Sequence, residues 1–328
     1  MPKISVIIPA YNVEKYIEKT LKSLIDQTFK DFEAIIINDG STDNTEKIIK
    51  EVLQNANFQW KLINQENQGV SAARNRGIID SKGEYICFLD ADDYYHPSFL
   101  EKMYNKAKEN NYDVVFCNYS YVDEREKNIR KVKQSKEYFG VELTGEEALK
   151  QELIGHVHIC VASYICKKKL LNERNILYTK GCTHGEDGEF WRKMFFHAKL
   201  VNSLTEILLY YVQRKNSATH TFSIEVFHYV GAMKRLFKYF EKQKADNEIL
   251  FLLKSKKIPE AYILCFAVLS RGENKENKEL FFKSLKNYKI REQLLAYQPE
   301  SLKQKIKLKV LLYFPPLFYF IYNKRKNW

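Results

Sequence analysis

Strand-like and helix-like stretches alternate over the first 120 residues, and this alternation constrains the fold more than any other feature of the chain. Ile4-Ser5-Val6-Ile7-Ile8 is a short apolar run, and Ile17, Leu21, Leu24 and Ile25 follow at helical spacing. A second apolar run covers Glu33 to Ile37, and a helix through Ile48, Ile49, Val52 and Leu53 comes next. Trp60 to Ile63 reads as a third strand, Ser71 to Ile79 as a helix, Tyr85 to Leu89 as a strand, Pro97 to Lys108 as a helix and Val114 to Cys117 as a strand. Strands alternating with helices imply βαβ units and an α/β fold with a mostly parallel sheet and flanking helices. Ligands of such sheets bind beyond the carboxyl ends of the strands.

The strand at Tyr85 to Leu89 runs directly into Asp90-Ala91-Asp92-Asp93. An ionised carboxylate resists burial unless it is paired or bound to a metal. Carboxylates crowded at a strand end therefore point to a hard divalent cation, of the kind often shared with substrate phosphates. Acidic residues also end strands as ordinary turn and cap residues, so the other strand ends must be weighed with this one.

Pro9-Ala10-Tyr11-Asn12 follows the first strand, and Tyr11 offers a ring on which a planar base can stack. Asn38-Asp39-Gly40-Ser41-Thr42-Asp43 follows the second, with Asp39 able to accept from a base N–H and Ser41 to Asp43 able to cap a helix. Asn67-Gln68-Gly69-Val70-Ser71-Ala72-Ala73-Arg74-Asn75 follows the third, where Arg74 supplies a fork suited to phosphate. Gly185-Glu186-Asp187-Gly188-Glu189 places an acidic pair at a helix start, where carboxylates also act as plain caps.

The rest of the chain divides by composition. Residues 121–140 are polar and highly charged and read as a loop or linker. From 144 to 212 the signals are mixed: helices at Glu146 to Leu153 and Glu189 to His197, strands at Val161 to Ile165 and Ile207 to Val212. After about 221 they are nearly all helical, giving segments 1–120, 121–220 and 221–328. Val310 to Tyr322 is almost wholly apolar but only 13 residues long, and it contains Pro315-Pro316. A spanning helix needs about 20 residues. Lys303, Lys305, Lys307 and Lys309 precede this run and Lys324, Arg325 and Lys326 follow it, a pattern that suits an interfacial membrane contact.

Net charge is +12, which favours acidic partners such as nucleotide phosphates or an anionic membrane. No nucleic-acid module is recognisable, and Asp90, Asp92 and Asp93 would repel phosphates without a metal. The six cysteines form no CxxC pair, and Cys87 and Cys117 read as buried thiols. With Ile4 to Ile8 already reading as a strand, no leader is expected and the location is expected to be cytoplasmic.

The four stretches taken in order change the balance. The opening Ile4 to Asn12, the Asn38 to Asp43 turn, the Gly69 to Gly77 helix and the Asp90-Ala91-Asp92-Asp93 cluster together resemble the glycosyltransferase family 2 enzymes of the Rossmann-like GT-A fold. The resemblance is specific over residues 3 to about 120, looser to about 215 through Glu186-Asp187, and lapses beyond. It implies that 1–120 is the nucleotide-sugar-binding half, 121–220 the acceptor half with the catalytic base, and 221–328 a helical region with a membrane-associating tail. Pro9, Ala10, Tyr11, Asn12, Asp39 and Gly69 would hold the nucleoside, usually uridine. Arg74 would lie near the diphosphate. Asp90-Ala91-Asp92 would be the DxD motif, with Asp92 the nearest ligand of Mn²⁺ or Mg²⁺ and Asp90 facing ribose or metal. Asp187 would be the base of an inverting transfer, with Glu186 orienting it or binding the acceptor. Asn38 stands where many members carry a second aspartate. His158 and His220 are further candidates near acceptor, diphosphate or metal.

The implied activity is transfer of a sugar, from UDP-hexose or UDP-N-acetylhexosamine, to a saccharide or lipid-linked saccharide in bacterial surface polysaccharide or lipooligosaccharide synthesis. The enzyme would sit at the inner face of the cell membrane, with oligomerisation through the helical region left open. Two rivals differ in class. A sugar-phosphate nucleotidyltransferase usually opens with a glycine-rich phosphate loop, which Pro9-Ala10-Tyr11-Asn12 lacks. A basic nucleic-acid-binding protein is suggested by charge alone.

Overall fold

The computed structural model describes residues 1–125, 127–214, 224–272 and 275–324. The chain divides into two compact units, Met1–Gly181 with Phe190–Lys215, and Cys182–Glu189 with Asn216–Trp328.

The first unit is built on a sheet. Its strands are β1 (Ile4–Ala10), β2 (Phe32–Asp39), β3 (Gln59–Gln65), β4 (Tyr85–Phe88), β5 (Tyr94–Tyr95), β6 (Val114–Val122), β7 (Asn128–Lys131), β8 (Tyr164–Lys167) and β9 (Val201–Val212). Among the described residues they form one sheet in the order β3-β2-β1-β4-β8-β6-β9-β5, with β7 paired to β6. The helices are α1 (Ile17–Ile25), α2 (Thr45–Leu53), α3 (Val70–Asp80), α4 (Phe99–Glu109), α5 (Gly145–Ile154), α6 (Lys168–Glu173) and α7 (Glu186–His197), whose first turn groups with the other unit.

The expected parallel run is β3-β2-β1-β4: Ile4 is in register with Phe32 on one side and Tyr85 on the other. β1 and β2 are buried along their whole length, as strands covered on both faces must be, and they are correspondingly apolar. α3 packs on β1 so closely that a Cβ on Gly77 would lie 2.2 Å from Ile7 Cγ2. The chain passes outward through β1, β2 and β3, then returns to place β4 on the other side of β1. The switch point of the sheet therefore lies between β1 and β4, and it is beyond the strand ends at such a point that sheets of this kind bind their ligands.

Parallel pairing does not extend through the rest. β8 runs antiparallel to both β4 and β6, whereas β6 and β9 are parallel. Residues 121–140 are not all loop either. β6 continues to Val122 and turns back through β7 as an antiparallel hairpin, because Tyr119, Tyr121 and Val122 keep a strand pattern that pairs with Leu209, Tyr211 and Val212 of β9. Beneath β4 the Phe88 ring meets Tyr178 at 5.4 Å and Phe190 at 5.6 Å, the latter two stacked 4.1 Å apart. A buried two-point ion pair, Arg192 to Glu152 at 2.9 and 2.7 Å, ties α7 to α5.

The second unit is helical as expected: α8 (His228–Lys242), α9 (Asn247–Leu252), a π-helical turn at Leu253–Lys257, α10 (Ile258–Leu269), α11 (Lys275–Lys286), α12 (Tyr288–Leu295), α13 (Leu302–Tyr313) and α14 (Pro315–Asn323). α10 is apolar almost all round and central to the unit, with Phe266 against Phe281 of α11. The apolar C-terminal run splits at Phe314, where Pro315 starts α14. No helix among the described residues is long and apolar enough to cross a membrane.

Candidate active site

In-register parallel pairing brings the ends of β1, β2 and β4 to one edge, and with them Tyr11, Asp39 and Asp90 to Asp93. Pro9 and Ala10 are the last residues of β1 and are buried, while Tyr11 is 50% exposed at its mouth. Asn12 adopts the left-handed conformation and stitches two loops together. Its Oδ1 accepts from Thr42 N at 2.8 Å, and its own N–H donates to Ser41 Oγ at 3.0 Å. These bonds tie the loop after β1 to the loop after β2.

Asp39 is buried and heavily engaged. Its Oδ1 accepts from Gln65 Nε2 at 2.7 Å and from Gln68 N at 2.9 Å, and its Oδ2 accepts from Gly69 N at 2.8 Å. The carboxylate thus holds the β3–α3 loop in place at the end of β2. Asn38 donates its amide to Asn64 Oδ1 at 2.9 Å across to β3.

Arg74 is not a solvated helical arginine. It is 3% exposed, donates to Asp90 Oδ1 at 2.8 Å, and lies 5.2 Å from the centre of the Tyr178 ring. Burial makes such a charge costly unless it is paired, so the Asp90 contact is part of what keeps it there. Asp92 is paired as well, with Arg214 Nη2 2.5 Å from its Oδ2. Burial, then repulsion from Asp90, pushes the Asp92 carboxyl up to about 6, and Arg214 opposes that rise. Ala91 is buried between the two.

Asp93 takes a structural part. It is fully enclosed, its Oδ1 accepts from Val212 N at 2.8 Å, and its backbone carbonyl accepts from Thr20 Oγ1 at 2.8 Å. Burial, followed by repulsion from Asp92 and Asp90, raises its carboxyl well above the ordinary range.

Asp90 and Asp92 are hard oxygen donors on a rigid strand end. Among the described residues no group of three or more His, Cys, Asp or Glu forms a cage. Two carboxylates completed by water and phosphate oxygens is the habit of Mg²⁺ and of similar cations, so the donor set fits a cation that arrives with a phosphate substrate.

Glu186 and Asp187 lie in the first turn of α7, with Glu186 buried and Asp187 half-buried. His158 is exposed, and its backbone is held at both polar groups by the Gln134 side chain, at 2.8 Å each. His220 falls outside the described residues. Sequence reasoning missed Tyr178 beneath Arg74 and Tyr16, whose ring lies 4.5 Å from the Arg214 guanidinium. Neither has a motif signature, and only the fold brings them to the site.

The family model for glycosyl transferase family 2 matches residues 5–174. The chain is 30% identical over 228 residues to an uncharacterized glycosyltransferase, EpsJ, of Bacillus subtilis, covering 67% of this chain and 63% of that one. It is 30% identical over 224 residues to glycosyltransferase GlyG of Streptococcus pneumoniae, covering 66% and 73%. With 63% of EpsJ and 33% of the pneumococcal glycosyltransferase GlyA covered, the chain spans less than two thirds of the length of some of these relatives. Among solved structures, S. aureus TarS 1–349 in complex with UDP-GlcNAc superposes with a TM-score of 0.69 at 23% identity, over 99% of this chain and 90% of that one. A mannosyltransferase from Pyrobaculum calidifontis, in complex with GDP-Man and Mn²⁺, gives 0.58 at 16% identity over 100% and 87%. The fold is of the GT-A kind, a mixed α/β sheet with flanking helices followed by a helical region. The chain belongs to glycosyl transferase family 2. That membership leaves the nucleotidyltransferase and nucleic-acid-binding alternatives without support.

Proposed function

We propose that this protein moves a sugar from a nucleotide-sugar donor, a UDP-hexose or UDP-N-acetylhexosamine, to the hydroxyl of a saccharide or lipid-linked saccharide, with inversion. The observation that carries this reading is the pair Asp90 and Asp92 at the β1/β4 switch point, each held by its own arginine. The UDP-GlcNAc bound to TarS supports the choice of donor class.

Pro9, Ala10, Tyr11, Asn12, Asp39 and Gly69 hold the nucleoside in this reading, with Tyr11 exposed for stacking and Asp39 keeping the β3–α3 loop closed behind it. Arg74 presents its charge toward the diphosphate from beside Asp90. Asp92 and Asp90 would hold Mn²⁺ or Mg²⁺. When bound, that cation neutralises charge on the departing diphosphate and acts there as a Lewis acid. The acceptor oxygen attacks the anomeric carbon as the bond to the diphosphate breaks, and Asp187 takes the hydroxyl proton. Glu186 orients Asp187 or the acceptor. A single displacement turns an α-linked donor into a β-linked product.

The same reading places the enzyme at a membrane surface, in bacterial surface-glycan synthesis. Its support is the exposed apolar edge of α13 and α14, with Phe314 62% and Phe320 54% exposed among lysines.

The test is release of nucleoside diphosphate from a panel of sugar nucleotides, with and without Mn²⁺. Metal-dependent UDP release from one donor is expected. No release from any donor, together with no detectable UDP binding, would overturn the reading.

A further inference from the structure

The segment that carries Glu186 and Asp187 is built by the helical unit. Residues Cys182–Glu189 group with α8 to α14, although the remainder of α7 belongs with the sheet. Arg235 of α8 grips both ends of this segment with one guanidinium. Its Nε and Nη2 donate to Glu189 Oε2 at 2.9 and 2.6 Å, and Nη2 also reaches Cys182 Sγ at 3.2 Å. Glu189 is 2% exposed, so its charge depends on partners of this kind.

Two more residues of α8 hold the middle. Thr183 Oγ1 lies 3.0 Å from His228 Nδ1 and 3.1 Å from His184 Nδ1. Gly185 has φ +81°, and a Cβ there would sit 2.4 Å from Tyr229 Cδ2, so the tyrosine ring packs directly on backbone one residue before Glu186. His228 and Arg235 are seven residues apart, which puts them on one face of α8.

We infer that α8 is a clamp that sets the Glu186–Asp187 turn, and that Arg235 is a positioning residue for sugar transfer. The inference rests on the proposed role of Asp187 as base. It gives the C-terminal unit a part in turnover that is separate from any tethering. Only arginine suits the position: a lysine offers a single nitrogen and cannot keep the planar fork that spans Glu189 and Cys182.

The full chain is compared with Arg235→Ala, Arg235→Lys, Gly185→Ala and Asp187→Asn. Gly185→Ala pushes the turn off Tyr229 without removing a charge. The readings are kcat and KM for UDP release from the sugar nucleotide that the wild type turns over, the Kd for UDP by calorimetry, Tm, and hydrogen exchange of amides 183–189. Small displacements of a catalytic group are costly, so Arg235→Ala and Gly185→Ala are expected to lose about tenfold or more in kcat, with donor KM and UDP Kd within about twofold. Amides 183–189 are expected to exchange faster in both variants, and Arg235→Lys to recover part of the loss. Unchanged kcat, or unchanged exchange at 183–189, would overturn the clamp. So would a loss of kcat matched by equal losses in UDP affinity and Tm, which marks general unfolding. Turnover surviving Asp187→Asn would instead remove the base assignment on which the inference rests. Turnover lost in Asp187→Asn but kept in Arg235→Ala would sink the clamp alone. Should the wild type release UDP from no donor, exchange at 183–189 decides by itself.

Discussion

Arg214 Nη2 lies 2.5 Å from Asp92 Oδ2, and Asp93 Oδ1 accepts from Val212 N two residues earlier in the chain, at 2.8 Å. Two adjacent carboxylates of the β4 end therefore hold the end of β9. The guanidinium rests over the Tyr16 ring, which limits where it can swing. It is a cation already seated where a divalent cation would arrive, and a fork of the kind that grips diphosphate.

These two roles predict opposite effects of Arg214→Ala. Mn²⁺ alone should bind at least as tightly as in the wild type, since a competitor for Asp92 is gone. UDP in the presence of Mn²⁺ should bind about tenfold or more weaker, because a hydrogen bond to a charged group contributes about 1.5–3 kcal/mol. Calorimetric titration of each ligand checks both halves. Equal UDP affinity in the two proteins would leave Arg214 a brace for β9 and nothing more.

Asp39 is expected to matter for stability as well as for binding. Asparagine in its place must turn an N–H₂ toward at least one of the three donors that now converge on the carboxylate. Losing one charged contact and leaving a donor unpaired should cost about 2–3 kcal/mol. Urea denaturation of Asp39→Asn measures this directly, and UDP titration measures the accompanying loss of affinity. Wild-type stability with abolished UDP binding would show that the aspartate serves the base alone.

The half of the sheet that carries the switch point was legible in the sequence because its strands are apolar and short, and its loops carry unusual residues. The Ile4–Ala10 and Phe32–Asp39 runs and the Asp90 to Asp93 cluster announce themselves within a few residues. The other half was not. β8 enters the sheet antiparallel between β4 and β6, and nothing in Tyr164-Ile165-Cys166-Lys167 states a direction. The charged stretch after Val122 hid a hairpin, since the four residues of β7 carry no apolar alternation. Contacts between distant residues leave no trace in spacing: Arg235 and Glu189 are 46 positions apart, and Arg214 and Asp92 are joined only by topology.

His197, in the last turn of α7, gives a pH dependence of stability. Burial, and then the nearby charge of Arg174, hold its imidazole below the ordinary histidine value of 6.5. As pH falls through that value the unfolded chain takes up a proton that the folded chain does not, so stability is lost on the acid side. His197→Gln should therefore lose less stability than the wild type between about pH 7 and pH 5. Thermal melts across that range make the comparison, and parallel curves for the two proteins would refute it.

The C-terminal helices predict a membrane contact that can be broken without breaking the fold. Leu311, Leu312 and Phe318 face inward, Phe318 against Phe281 at 6.2 Å, so deleting the segment would damage the helical unit itself. Phe314, Leu317 and Phe320 face outward, beside Lys324, which lies over the Phe320 ring at 4.3 Å. Replacing these three with serine should leave the melting temperature nearly unchanged, because none of them is buried. Each large apolar side chain transferred from water contributes about 1.5–3 kcal/mol, so losing all three should reduce partitioning by more than about 100-fold. Co-sedimentation with vesicles rich in phosphatidylglycerol reads the difference. The wild type should bind these vesicles, bind phosphatidylcholine vesicles less, and weaken with salt as its lysines are screened. A triple variant that sediments as the wild type does would mean that this face does not touch lipid.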